Sequence, residues 1–353
     1  MDQVYSLLAQ HLDTIPNGFP PTESGIELKL LARLFTPEEA KVASVMHMTP
    51  EPLDEIAVRA GLDPVTARTL LDAMAAKKLI RRFEDQEQAT YRLLRRLLGV
   101  LGVDLPLRDV EAARLAEQYY QETRGLSLEH PPASYRVIPV QQAIPAELRI
   151  HPYEQASTLL ENARSWAVRD CECRVWQNAI GKGCDHPVET CLMFAPWEDF
   201  FVDNEIDRVI DKEEALRILY QAEAAGLVHT TMNFGKQPYQ ICNCCTCSCA
   251  VLRGVAEFGI PTAIARSDFH SVVDAAQCDG CGQCTERCPF GALALADEVV
   301  TVDLARCVGC GLCAAACPAG ALHLERRPAE DCLSIPSDMD DWMAQFLEQR
   351  GRT

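Results

Sequence analysis

A chain of 353 residues, 48% hydrophobic and 24% charged, has apolar material for two or three packed domains, which excludes a mostly disordered protein. Its formal charge of -18 opposes the approach of nucleic acid, and no uncharged apolar run nears the ~20 residues of a membrane helix. The abnormal quantity is 18 Cys, none before Cys171; such density belongs to short secreted disulfide scaffolds or to metal–thiolate proteins.

Residues 1–26 form an acidic segment with His11, Asp13 and Pro16 and do not read as a signal peptide. The thiols are therefore expected in the cytoplasm as metal ligands rather than disulfides. Residues 27–97 read as a winged helix-turn-helix. A first helix near Pro37–His47 is followed by one from Leu53 to Ala60, a turn at Gly61, and a helix opened by Asp63 and Pro64. Two short strands follow between Ile80 and Leu93. In a DNA reader, Thr66, Arg68 and Thr69 would face the major groove, with Lys77, Lys78, Arg81 and Arg82 close by. Charge argues against that use. Glu27 to Arg96 holds twelve basic and eleven acidic residues and leaves the rest of the chain at -19, whereas a phosphate footprint needs a basic stripe. Packing or protein docking is the expected role, and DNA is not expected as a partner. Residues 98–150, with Pro106, Pro131, Pro132, Pro139 and Pro145, read as a partly helical connector.

Residues 151–265 form a Cys-rich middle domain. Apolar residues at helical spacing from Glu154 to Ala167 predict a helix leading to Cys171-Glu-Cys173. Cys184 and Cys191 follow, then a helix from Asp211 to Ala225 closed by Gly226, and the extended Leu227–Thr231. The run Cys242, Cys244, Cys245, Cys247 and Cys249 comes last. Neighbouring side chains cannot all enter one core, but a loop can fold them around metal. A further iron–sulfur cluster is the expected use, with zinc or a redox dithiol as alternatives. Cys171, Cys173, Cys184 and Cys191 make the cleaner ligand set, the later five serving a different or shared cluster. His186 is read as supporting the site rather than ligating metal.

Residues 271–325 carry a repeat of 29 residues: Cys278, Cys281, Cys284 and Cys288-Pro289 are matched by Cys307, Cys310, Cys313 and Cys317-Pro318. A cubane needs converging thiolates, and CxxCxxC wraps three around one corner. Gly280, Gly282, Gly309 and Gly311 let the backbone approach. Ala292–Ala296 and Val299–Val302 predict a hairpin between the loops. Seven acidic residues against Arg287 and Arg306 leave this stretch at -5, a surface suited to redox partners with a basic docking patch. Zinc ribbons use two CxxC pairs instead. Residues 326–353 form a polar tail in which Cys332 is expected to have no function.

Each copy, CxxCxxCxxxCP, resembles the bacterial two-cluster ferredoxins. The resemblance implies two [4Fe–4S] clusters with crossed ligands: Cys278, Cys281, Cys284 and Cys317 for one, Cys307, Cys310, Cys313 and Cys288 for the other. The chain also carries, in order, Tyr135-Arg-Val-Ile-Pro139, Cys171-Glu-Cys173-Arg174, Cys184-Asp-His186-Pro, Cys191-Leu-Met-Phe194 and Cys242-Asn-Cys244-Cys245. With the winged helix before them and the dicluster motif after, they resemble a poorly characterised group of 4Fe–4S dicluster proteins of anaerobic bacteria. The likeness runs from about residue 27 to 325, and the group often has Cys where this chain has Ser248. The expectation is an α+β iron–sulfur protein passing low-potential electrons one at a time. A redox-sensing winged-helix regulator and an electron-transfer subunit of a larger oxidoreductase are the alternatives. No flavin, nicotinamide or P-loop fingerprint marks an independent enzyme.

Overall fold

The computed structural model describes residues 3–15, 18–84, 89–94, 109–125, 128–145, 154–204 and 208–351. The expected turn at 85–88 and, from the expected connector, 98–108 with Pro106 and 146–150 lie outside the described residues. The α+β chain divides into two units, Met1–Ser127 with Val175–Gly183 and Leu128–Arg174 with Cys184–Gly351.

In the first unit, α1 (Gln3–Thr14), α2 (Ile26–Leu34) and α3 (Pro37–Ala43) precede the two-residue strand β1 (Glu51–Pro52). Thr36 and Glu39 cap α3 reciprocally, each side chain accepting the other's backbone N–H. α4 (Leu53–Ala60) ends at Gly61, and Asp63 accepts from the N–H groups of Val65 and Thr66 to open α5 (Pro64–Ala76). β2 (Ile80–Glu84) and β3 (Ala89–Leu93) pair antiparallel, and β1 adds to β3, giving the order β1-β3-β2. α6 (Val110–Glu122) lies in the stretch read as a connector. Trp176 Nε1 donates to the Ala113 carbonyl at 2.8 Å, and Gln177 donates to Glu117 at 2.8 Å.

The second unit is built on a six-stranded antiparallel sheet in the order β4-β8-β9-β6-β5-β7. Its strands are β4 (Tyr135–Val137), β5 (Ser165–Asp170), β6 (Glu189–Ala195), β7 (Arg208–Ile210), β8 (Val228–Met232) and β9 (Gln240–Cys244). Between them in sequence run α7 (Ala156–Glu161), α8 (Glu172–Ala179), whose residues from Val175 on belong to the first unit, α9 (Phe200–Asn204) and α10 (Lys212–Ala224). Strand alternation divides the faces. Val168, Leu192, Phe194, Ile210 and Ile241 pack against Leu160 of α7 and Ala215 and Leu219 of α10. Ala167, Met193 and Ala195 point the other way, onto Phe201 of α9.

One helix is shorter than its spacing predicts. The chain leaves α7 at Asn162, and Ser165–Asp170 is a strand; Trp166 donates Nε1 to the Leu160 carbonyl at 2.8 Å across the bend. Ala167 and Val168 are both fully buried, on opposite faces of a covered sheet. A strand buried on both sides carries no alternation to tell it from a helix. β4 also differs from expectation: it comes from the supposed connector and forms an edge of the sheet.

α11 (Ala250–Ala256) leads towards β10 (Phe269–Val273), which pairs through Val273↔Leu322 with a later strand. Between them come α12 (Gln283–Arg287), the hairpin of β11 (Leu293–Ala296) and β12 (Val299–Val302), and α13 (Leu312–Ala315). β13 (Leu322–Arg326) is the partner of β10, and α14 (Met339–Gln349) follows. This segment is tied to residues between β4 and α7: Val140 N–H donates to the Cys310 carbonyl at 2.9 Å, and Arg326 grips the buried Glu154 carboxylate with two bonds of 2.9 and 3.0 Å.

The loop around Cys310 is held close. Gly309 has φ 73°, and a Cβ there would lie 2.1 Å from the Phe269 carbonyl oxygen. Gly309→Ala should therefore destabilise the protein by at least about 1–2 kcal/mol from the left-handed backbone alone, before the clash adds to it. Thermal unfolding of the iron-loaded variant checks this; an unchanged Tm would mean that the loop lies elsewhere.

Candidate metal centres

The two C-terminal loops build one core. Cys284 and Cys313 open α12 and α13 and pack with Leu293, Val300 and Leu322, with Cys278, Cys288 and Cys317 against them. Burial pushes the Cys284 thiol up, and the neighbouring charges of Cys317 and Cys281 push it the same way. Burial also raises Cys313, to about 11, against a hydrogen bond from Ser271; there the nearby charges are Cys288 and Cys307. Cys310, also buried, is raised by that burial, with Cys313, Cys288 and Cys307 as its charged neighbours. Cys317 thus lies near Cys284, and Cys288 near Cys310 and Cys313. Cys281 is exposed, whereas Cys307, Cys310 and Cys313 are buried.

The donor sets suit multi-iron clusters. Among the described residues, the donors found all within 4.8 Å of one another are those of Cys184, His186, Cys245 and Cys247, and none of these eight is among them. A single ion draws its ligands that close, whereas a cubane puts each thiolate on a different iron. Residues 277–321 match the family described as a 4Fe-4S dicluster domain. The C-terminal segment is a dicluster domain with two [4Fe–4S] clusters. No curated protein and no solved structure matches the chain. The clusters of such a domain accept and release electrons, and the thiols that hold them bind as thiolates. Among the described residues, no helix is long and apolar enough to cross a membrane.

Upstream of the dicluster domain, the nine middle Cys separate into two groups. Six form a closed ring of sulfur contacts: Cys171 meets Cys173 and Cys191, Cys173 meets Cys249, Cys249 meets Cys244, Cys244 meets Cys242, and Cys242 returns to Cys191. Strand register explains the assembly. Leu192↔Ile241 places Cys191 of β6 opposite Cys242 of β9, and Cys242 and Cys244 share the sheet face of Met193. Cys171 ends β5, Cys173 begins α8 and Cys249 precedes α11. Hydrogen bonds from Cys173 and Cys191, helped by Arg174, hold the Cys171 thiol well below the usual range.

Arg174 is a residue that sequence reasoning missed. It is 1% exposed, donates to the Asn243 carbonyl at 3.0 Å and to Cys245 Sγ at 3.6 Å, and contacts Thr190 Oγ1. Burial works against its charge, but the sulfurs of Cys171, Cys245 and Cys244 outweigh it and raise its pKa. Its Nε has no acceptor among the described residues. A buried, unpaired donor beside a thiolate ring suits an inorganic sulfide. The signal was present in sequence, a cation directly after CxC, but its burial was not.

The remaining three thiols stand apart. Cys184 Sγ lies 3.8 Å from Cys245 Sγ and 3.6 Å from Ser248 Oγ, and Cys247 Sγ lies 3.9 Å from His186 Nδ1. Cys184 thus lies with Cys245, Cys247 and His186, whereas the spacing suggested a set with Cys171, Cys173 and Cys191. Burial raises its thiol, but hydrogen bonds from Ser248 and from the backbone and ring of His186 outweigh this and hold it at about 6. His186, read as a support, has its ring nitrogen among the thiols. Cys332 donates to the Arg327 carbonyl at 3.8 Å.

Proposed function

We propose that the chain is an electron-transfer protein in which two C-terminal clusters pass low-potential electrons and the six-thiol ring holds a further iron–sulfur cluster. Cys278, Cys281, Cys284 and Cys317 ligate one cubane of the dicluster domain, and Cys307, Cys310, Cys313 and Cys288 the other. The observation that carries this reading is the crossed neighbourhood of Cys317 with Cys284 and of Cys288 with Cys313.

The exposed cluster of Cys281 meets the redox partner, through an acidic surface of formal charge -5 that suits a basic docking patch. The buried cluster lies inward. Val140, which binds the Cys310 carbonyl, is two residues from Ile138, whose N–H donates to the His229 carbonyl at 2.9 Å. His229 pairs in register with Asn243, between Cys242 and Cys244, which supports a route from the dicluster domain to the ring. Arg174 offsets negative charge there and favours the reduced cluster. The domain of residues 27–97 is a winged helix that docks or packs rather than reads DNA, and the protein works in the cytoplasm.

Iron content tests the third cluster. Anaerobically purified protein should hold about 12 Fe, four per cubane, against about 8 from the dicluster domain alone. Cys171→Ala with Cys191→Ala should lower the count from about 12 to about 8. A wild-type value near 8 that the double variant leaves unchanged removes the middle cluster.

A further inference from the structure

We propose that Cys184, His186, Cys245 and Cys247 form a separate, mononuclear tetrahedral site that binds one Zn2+. The four donor atoms all lie within 4.8 Å of one another. With Zn–S of about 2.3 Å and Zn–N of about 2.0 Å, a tetrahedron has S–S edges of about 3.8 Å and S–N edges of about 3.5 Å. The Cys184–Cys245 edge is 3.8 Å and the Cys247–His186 edge 3.9 Å. A four-iron cluster cannot take these donors without spreading them, because each thiolate must reach a different iron. Three thiolates and one imidazole also match the soft sulfur and nitrogen donors that zinc prefers.

The site is built from two short chelating pairs, Cys184-Asp-His186 and Cys245-Thr-Cys247. Three thiolates and Zn2+ leave one negative charge, which the Arg174 guanidinium at 3.6 Å from Cys245 balances. Ser248, fully buried, sits beside Cys184 as a second hydrogen-bonding group. Cys245 is buried, Cys184 and His186 are half-buried and Cys247 is exposed, so the ion has a way in. The metal would pin the stretch before β6 to the turn after β9, and through Arg174 it would fix the strands that carry the ring. This site stands independently of the electron-transfer reading, since it needs no iron and no redox step.

The test is metal analysis of full-length, anaerobically purified protein from cells grown with both iron and zinc. About one zinc per chain is expected beside the iron. Cys247→Ser and His186→Ala should each lose most of that zinc while the iron count stays unchanged. Protein with no stoichiometric zinc, zinc that both variants retain, or loss of several irons in either variant overturns the proposal. Should both variants fail to fold, zinc-edge X-ray absorption of the wild-type protein decides. Three sulfurs and one nitrogen around the zinc are expected, and any other shell overturns the site. Loss of the ring's iron in Cys171→Ala with Cys191→Ala should leave the zinc in place, which separates this test from that of the third cluster.

Discussion

Cys288→Ala should damage the cluster of Cys307, Cys310 and Cys313 and spare the cluster of its own repeat. The reason is directional. Cys288 follows α12, its sulfur accepts the Ala292 N–H at 3.3 Å, and its charge falls on Cys310 and Cys313. Cys317 does the converse towards Cys284. Comparison of spectra checks this without assigning either cluster in advance. The Cys288→Ala signal should match that of Cys310→Ala, and Cys317→Ala should match Cys281→Ala. Each variant should lose the signal of one cluster and keep the other, with iron falling by up to about 4 per chain. Pairing of Cys288→Ala with Cys281→Ala would contradict the crossed ligand sets.

The dicluster motif was legible because its information is local. Four Cys and their glycines lie within eleven residues, and the hairpin at Leu293–Val302 follows from its own alternation. The ring was not legible, because its six thiols meet only through the pairing of β5, β6 and β9, and register between distant strands leaves no mark in spacing. The same gap hid the split of the Cys242–Cys249 run. Residues 242 and 244 are on a strand and share a face, while 245 and 247 lie in the turn beyond it. The helices at Leu53 and Pro64 were readable from Gly61 and Asp63, whereas the helix expected to reach Ala167 broke at Asn162 under tertiary packing.

No sequence-specific DNA binding is expected at physiological salt in either redox state, and electron uptake from a low-potential donor is expected instead. Arg68, Lys78 and Arg81 are exposed along or just after α5, but local carboxylates offset their neighbours. Lys77 pairs with buried Glu39 at 2.7 Å, Arg82 with Asp72 at 3.4 Å, and Arg59 with buried Glu51 at 2.5 Å. That leaves a thin cationic stripe on a near-neutral domain attached to a body of -19. A footprint of six or more phosphates would make affinity fall about a thousandfold between low and moderate salt, and that stripe is too thin to make one. Electron transfer should show the opposite dependence on partner charge. With a basic donor its rate should fall about tenfold or more as salt screens the acidic dicluster face, and with an acidic donor it should rise. A gel shift that follows cluster oxidation and vanishes in Arg68→Ala would make the protein a regulator.

One edge of the six-stranded sheet has a guard tied to a cluster loop. β4 pairs with β8 on one side, and on the other Val137 N–H donates to the Ala265 carbonyl at 2.9 Å while Ala265 N–H donates to that of Tyr135 at 2.8 Å. Ala265 lies just before Ser267, whose hydroxyl donates to the Gly309 carbonyl at 2.8 Å inside a cluster loop. Loss of the clusters is expected to loosen that loop and, through Ser267, the guard. An uncovered strand edge is a template for another chain. Exposure to oxygen is therefore expected to produce self-association as well as loss of the clusters, which size-exclusion chromatography before and after aeration checks.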